Sequence, residues 1–258
     1  MKNLSFEAVI FDMDGVITQT AIIHAAAWKK MFDEYLRKRE DLYGEPFREF
    51  TYSNDYLTYV DGKPRYKGVA SFLRSRGIEL PFGDAIDAPG TETICGLGNR
   101  KNEAFNEVIE KDGVEVFPST VTLINDLKRA GIQLGVASSS KNCKQVLEAV
   151  NLLGWFGARV DGVVSAKLGL HGKPEPDIFT TACKMLGTSP AKSIVVEDAV
   201  SGVQAGAKGK FGLVLGIARE NNSVELQQNG ADFVVTDLVE INGLPELNAL
   251  FLKYRGNK

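Results

Sequence analysis

Ala8-Val9-Ile10-Phe11-Asp12-Met13-Asp14-Gly15-Val16-Ile17-Thr18-Gln19-Thr20 begins as an unbroken apolar run and ends it in two carboxylates one residue apart, then a glycine. The run reads as a buried strand, and on a strand residues i and i+2 point the same way, so Asp12 and Asp14 are expected to face one pocket at its carboxyl end. Open α/β sheets gather their ligands along that edge. Two acidic groups held close but in unequal surroundings suit two jobs, one attacking and one moving protons. Alone, the Asp-x-Asp-Gly segment is weak evidence, since most such runs are polar turns or cation-binding loops.

Beyond this segment the chain changes character twice. From about Ser119 onward, amphipathic stretches at 120–130 and 142–151 alternate with short apolar runs at 132–137, 162–165, 193–196, 212–216 and 232–235. Such alternation predicts a mostly parallel sheet. Residues 20–115 read instead as helices, with apolar residues at helical spacing over 21–39, 69–76 and 101–111. The expected fold is α/β, a Rossmann-like parallel sheet core built from 1–19 and 116–258 with a helical cap domain, 20–115, inserted after the first strand. Hinges are expected near Gln19-Thr20 and over 115–118.

A chain of 258 residues with 44% hydrophobic content can bury a full core, and a formal net charge of -3 argues against a general nucleic-acid or anionic-membrane surface. The expected partner is a small molecule. Cys95, Cys143 and Cys183 are odd in number and widely spaced, as buried thiols in a reducing compartment are. No membrane-length apolar run or signal peptide is read, so a cytoplasmic monomer is expected.

Three further polar clusters stand where later strands end. Ser138-Ser139-Ser140-Lys141-Asn142 follows the run at 132–137; its hydroxyls and backbone N–H groups can cradle a phosphate or simply cap a helix. Gly172-Lys173-Pro174-Glu175-Pro176-Asp177 sets a lysine in a stiff loop before a helix expected from Ile178. Glu197-Asp198 ends an apolar strand in adjacent acids, able to hold a hard cation such as magnesium. Electrostatics joins these parts. A carboxylate approaching a dianionic phosphoryl group at about 4 Å meets roughly 4 kcal/mol of repulsion per charge pair, about 8 kcal/mol in all. Mg2+ on Asp12 and Asp198, with Glu197 as a candidate third ligand and Lys173 on the phosphoryl oxygens, offsets that repulsion. The clusters together point to phosphoryl transfer.

In this order the four segments resemble the haloacid dehalogenase superfamily, and the chain is similar over nearly its whole length to the β-phosphoglucomutase family. Matching is strongest at Val9 to Thr20, His24 to Trp28, Val136 to Asn142, Lys173 to Phe179 and Val196 to Ala205. The resemblance implies that Asp12 is a nucleophile forming an aspartyl phosphate and that Asp14 is the general acid/base and a metal ligand through its carbonyl. It also implies that Ser138 and Lys173 bind the transferring phosphoryl and that Glu197 and Asp198 complete a magnesium site. Thr20 closes the first matched segment and counts among the substrate-binding candidates.

A mutase that moves phosphate between two hydroxyls of one sugar must at some moment hold a bisphosphate, and so needs a second anion site. His24 and Trp28 lie at i and i+4 on the first inserted helix and match the family's cap histidine setting. Arg65 resembles the cap arginine that holds a distal phosphate, Lys101 in Arg100-Lys101-Asn102 resembles a sugar-side lysine, and Ser140, Lys141 and Asn142 are placed by the resemblance on the same distal phosphate. Gly62-Lys63-Pro64 mimics the lysine segment but precedes Ser138, out of family order. Gln19, Ala199 and a longer stretch from Leu80 to Glu92 depart from the family pattern. The implied activity is interconversion of β-glucose 1-phosphate and glucose 6-phosphate; a phosphatase with the same nucleophile is the alternative. A phosphoacceptor switch domain uses a similar residue set, but the large insert speaks against it.

Overall fold

The structure, a computed structural model, describes residues 4–255. It divides into two compact units, Met1–Gln19 with Val114–Lys258, and Thr20–Gly113.

The first unit is built on six parallel strands: β1 (Ala8–Phe11), β2 (Gln133–Ala137), β3 (Ala158–Val160), β4 (Ser193–Glu197), β5 (Leu213–Ile217) and β6 (Phe233–Val235). Their order is β3-β2-β1-β4-β5-β6. Phe11 at the end of β1 is in register with Val136 of β2 on one side and Val196 of β4 on the other. The chain first builds outward through β2 and β3, then crosses to β4 beside β1. That reversal leaves a crevice outside the carboxyl ends of β1, β2 and β4, where open sheets bind ligands.

Every residue of β1, β4 and β5 is buried, which explains why Val, Ile, Leu and Phe dominate them. Ala8 and Ile10, two apart on β1, enter one core cluster with Ile178, Phe179, Val195, Val203 and Val214.

In the second unit α1 (Thr20–Tyr43) is followed by a π-helical segment (Tyr52–Val60), α2 (Arg65–Ser75) and α3 (Ile94–Asp112). Its core is aromatic, with the Phe32 ring 5.0 Å from Phe50 and 4.1 Å from Phe72. Buried Asp55 accepts from Thr51 N–H at 2.8 Å and pairs with Arg76 at 3.0 Å, so its charge is matched. Helix α3 starts well before the expected residue 101, because Thr93 caps it by accepting from Gly96 N–H at 2.9 Å. The sheet unit continues with α4 (Pro118–Arg129), α5 (Cys143–Ala149), α6 (Gly162–Leu168), α7 (Asp177–Met185), α8 (Val200–Lys208), α9 (Ser223–Gln228) and α10 (Gly243–Tyr254).

One expected strand is wrong. Residues 162–165 form the start of α6, and β3 lies just before them. Asp161 decides the matter: its Oδ1 accepts from the N–H groups of Val163 and Val164 at 3.0 and 2.9 Å, an N-cap that starts a helix. Val163 is 54% exposed, so its apolar character marks no core strand. The other expected strands lie within a residue or so of those observed. Among the described residues no helix is long and apolar enough to cross a membrane, and the three cysteines are buried thiols that form no disulfide.

Candidate active site

Asp12 extends the β1 ladder by one residue, its N–H donating to the Val196 carbonyl at 2.9 Å. This sets its side chain at the crevice between β2 and β4. The Lys173 ammonium, from the loop before α7, donates to Asp12 Oδ1 at 2.5 Å and also to Glu197 Oε1; all three side chains are buried. Glu197 Oε2 in turn accepts from the N–H groups of Asp198 and Ala199 at 2.6 and 2.7 Å. Room for this carboxylate comes from Gly202, where a Cβ would overlap Glu197 Oε1. Asp12, Glu197 and Asp198 each bring one oxygen within 4.8 Å of the others, a hard-donor cluster suited to Mg2+.

Burial pushes the Asp12 carboxyl well above its usual range; Lys173 opposes this, while Glu197 and Asp14 add to it. Burial alone would lower the Lys173 ammonium, but the Asp12 and Glu197 carboxylates outweigh it and hold the group far up, permanently charged. One cation thus faces an excess of carboxylates.

Asp14 follows two residues on, and Ser138 Oγ donates to its Oδ2 at 3.4 Å. Ser138 is buried at the end of β2; its Oγ accepts from Ser140 N–H at 3.0 Å, and Ser140 Oγ accepts from Asn142 N–H at 3.2 Å. These hydroxyls order the turn that carries Lys141 and Asn142 toward α5. After Asp14 the backbone turns at Gly15, φ +86°, where a Cβ would also overlap the Asp198 carboxylate. Only glycine meets both demands.

In the helical unit, Lys101 of α3 is buried with its ammonium on His24 Nδ1. It lies 4.7 Å from the Phe105 ring centroid and 5.2 Å from that of Trp28. The His24 ring stacks on Phe105 at 3.9 Å. His24, Trp28 and Lys101 therefore form one cluster, drawn from α1 and α3. Arg65 begins α2 and donates to Asn102 Oδ1 at 2.6 Å, beside Lys101 in sequence on α3. Burial lowers its guanidinium from the usual value, with Tyr66 opposing. Thr20, the first residue of α1, is buried. Arg100 turns elsewhere and pairs with Glu34 at 2.8 Å. Lys63 serves its own unit, donating to the carbonyls of Tyr59 and Thr58 at 2.9 and 3.2 Å and to Ser71 Oγ at 3.1 Å.

The fold thus gathers Asp12, Asp14, Ser138, Lys173, Glu197 and Asp198 at one sheet edge. Sequence reasoning passed over Arg219, whose Nε donates to the Gly15 carbonyl at 2.9 Å. Its only local signal is a basic residue just past the carboxyl end of a buried strand.

A profile described as haloacid dehalogenase-like hydrolase matches residues 6–210. A beta-phosphoglucomutase of Mycobacterium bovis is 45% identical over 237 residues, 91% of this chain and 90% of that protein. A beta-phosphoglucomutase of Bacillus subtilis is 34% identical over 200 residues, 77% of this chain and 78% of its own. The crystal structure of beta-phosphoglucomutase from Clostridium difficile superposes with a TM-score of 0.76 at 24% identity, covering 96% of this chain and 98% of that one, a likeness of fold. With the sheet order, the strand-end residues and these matches in agreement, the chain belongs to the haloacid dehalogenase-like hydrolase family, among its β-phosphoglucomutase-like members.

Proposed function

We propose that the protein is a magnesium-dependent phosphomutase interconverting β-glucose 1-phosphate and glucose 6-phosphate. The observation that carries the phosphoryl-transfer chemistry is the buried Asp12 carboxylate at the switch point of the sheet, oriented by Lys173 at 2.5 Å. The sugar and the mutase outcome draw their support from the 45% identity to the Mycobacterium bovis beta-phosphoglucomutase.

Asp12 would carry the phosphoryl group as an aspartyl phosphate. As the 6-hydroxyl of β-glucose 1-phosphate attacks phosphorus, the bond to Asp12 breaks and Asp14 accepts the hydroxyl proton, giving β-glucose 1,6-bisphosphate. With the sugar reversed, Asp12 attacks the 1-phosphoryl group and Asp14 returns the proton to the departing O1, so atoms and protons balance over the cycle. Ser138 and Lys173 would hold the transferring group. Asp12, Glu197 and Asp198, with the Asp14 carbonyl, would bind Mg2+, which when bound supplies positive charge to the phosphoryl oxygens. In the helical unit Arg65, Lys101, His24, Trp28 and Thr20 would serve the second phosphate and the sugar; in the sheet unit Ser140, Lys141 and Asn142 would bind phosphate.

The hydrolase character of the family keeps a second reading in view, a sugar-phosphate phosphatase on the same nucleophile. One assay separates them: protein, Mg2+, β-glucose 1-phosphate and a trace of the bisphosphate, with glucose 6-phosphate and free phosphate followed together. Glucose 6-phosphate without free phosphate is expected. Free phosphate as the main product would replace the mutase by the phosphatase.

A further inference from the structure

Three consecutive carbonyls follow the Asp12–Asp14 pair, and each is held by a different donor. Arg219 Nε donates to Gly15 O at 2.9 Å, Thr120 Oγ1 to Val16 O at 2.7 Å, and Phe117 N–H to Ile17 O at 2.9 Å. Arg219 stands apart from the other two. Its guanidinium carbon lies 3.6 Å from the Phe117 ring centroid, and its Nη1 donates to Thr236 O at 3.2 Å and pairs with Asp237 at 3.1 Å. A single planar, permanently charged fork therefore joins the loop after β1, the return segment before α4 and the loop after β6. Its side chain is 16% exposed. A cation removed from water this far is held there by its partners.

We infer that Arg219 is a positioning residue for Asp14. The inference rests on the acid–base role proposed above for that carboxylate. Gly15 takes a positive φ that only glycine adopts freely; its N–H donates to the Thr18 carbonyl at 2.8 Å, which leaves Arg219 as the hold on its own carbonyl and on the peptide that follows. The Arg219–Gly15 bond pins the residue next to Asp14, and through the backbone it sets where the Asp14 carboxylate points. Asp12 does not depend on this bond. It is held from the other side, by its own N–H on Val196 and by Lys173. Loss of Arg219 should accordingly impair proton transfer while sparing attack on phosphorus.

Two phosphoryl donors separate these steps. A sugar phosphate expels an oxygen that needs a proton, whereas acetyl phosphate expels a stable carboxylate that needs none. Arg219→Ala should lower kcat for sugar phosphate turnover about a hundred-fold, the scale of an ångström-sized misplacement. The rate of Asp12 phosphorylation by labelled acetyl phosphate should stay within about three-fold, and KM for the sugar phosphate should hardly move. Arg219→Lys, which keeps a cation over Phe117 but lacks the fork, should show the same selectivity at about ten-fold and keeps the test available if the alanine variant does not fold. Equal loss with both donors, or no loss with the sugar phosphate, overturns the positioning role. Asp14→Asn is run alongside. If it keeps sugar phosphate turnover, the acid–base reading itself falls, a result distinct from failure of the Arg219 variants alone.

Discussion

Lys173, buried, and Arg65, half-buried, are cations in different units, and they are held in opposite ways. Lys173 sits between two carboxylates, Asp12 and Glu197. Arg65 is held by a neutral amide oxygen, that of Asn102, and among the described residues forms no ion pair. Burial opposes both charges. In the sheet unit the protein supplies the compensating charge itself, so Lys173 is fixed in place before any substrate arrives. In the helical unit no carboxylate among the described residues supplies that charge to Arg65, the surroundings that the proposed phosphate or sugar-phosphate subsite would need. The proposed reaction centre and the proposed second phosphate subsite thus differ in who supplies the balancing charge.

The largest expected effect comes from removing the proposed nucleophile. Asp12→Asn should lower turnover by about a million-fold, the scale seen when covalent nucleophiles are lost, and should abolish labelling by a radioactive phosphoryl donor. Residual turnover at wild-type level would end the covalent reading of the sheet unit.

Lys173→Met leaves two buried carboxylates without their cation and should destabilise the fold by about 3–5 kcal/mol in urea unfolding, besides removing activity. Arg65→Gln removes a cation that no carboxylate balances, so it should change stability far less. Its effect should fall on binding, raising KM for the bisphosphate about 10- to 100-fold, the loss of one charge-assisted hydrogen bond of roughly 1.5–3 kcal/mol. If Arg65→Gln destabilised the protein as much as Lys173→Met, the contrast between the two cations would fail.

The smallest effect is one of pH. Because the folded Asp12 pKa is raised, the native state retains a proton that the unfolded chain has already released above the ordinary carboxylate range. Without magnesium, stability should therefore fall as pH rises through the interval between the unfolded and folded values. Mg2+ held at Asp12 as proposed would displace that proton, so the rise in Tm on adding Mg2+ should be larger at pH 7.5 than at pH 5. At about 2–4 °C per kcal/mol for a chain of this size class, calorimetry can read the difference. A magnesium effect independent of pH would separate Asp12 from the cation cluster.

Much of the sheet unit was legible from local pattern. Runs such as Ile194-Val195-Val196 are apolar because both faces of their strands are covered, and the polar residues that break them, Glu197 here, mark the carboxyl edge of the sheet. The strand expected at 162–165 failed because a short apolar stretch carries too little periodicity to separate strand from helix, and the deciding group, the Asp161 cap, lies outside it. The π-helical segment Tyr52–Val60 had no distinct sequence signal, its shape following from aromatic packing and the Asp55–Arg76 pair.

By itself, then, the sequence determined the alternation that makes a parallel sheet, the helical insert, and the strand-end residues Asp12, Asp14, Ser138, Lys173, Glu197 and Asp198, because side-chain period and strand length are local properties. Only the tertiary structure decided which of these touch: Lys173 reaching both Asp12 and Glu197, Lys101 meeting His24, and Arg219 taking hold of Gly15. Those contacts join residues far apart in the chain. They follow from strand order and helix packing, which a local pattern restricts but does not specify.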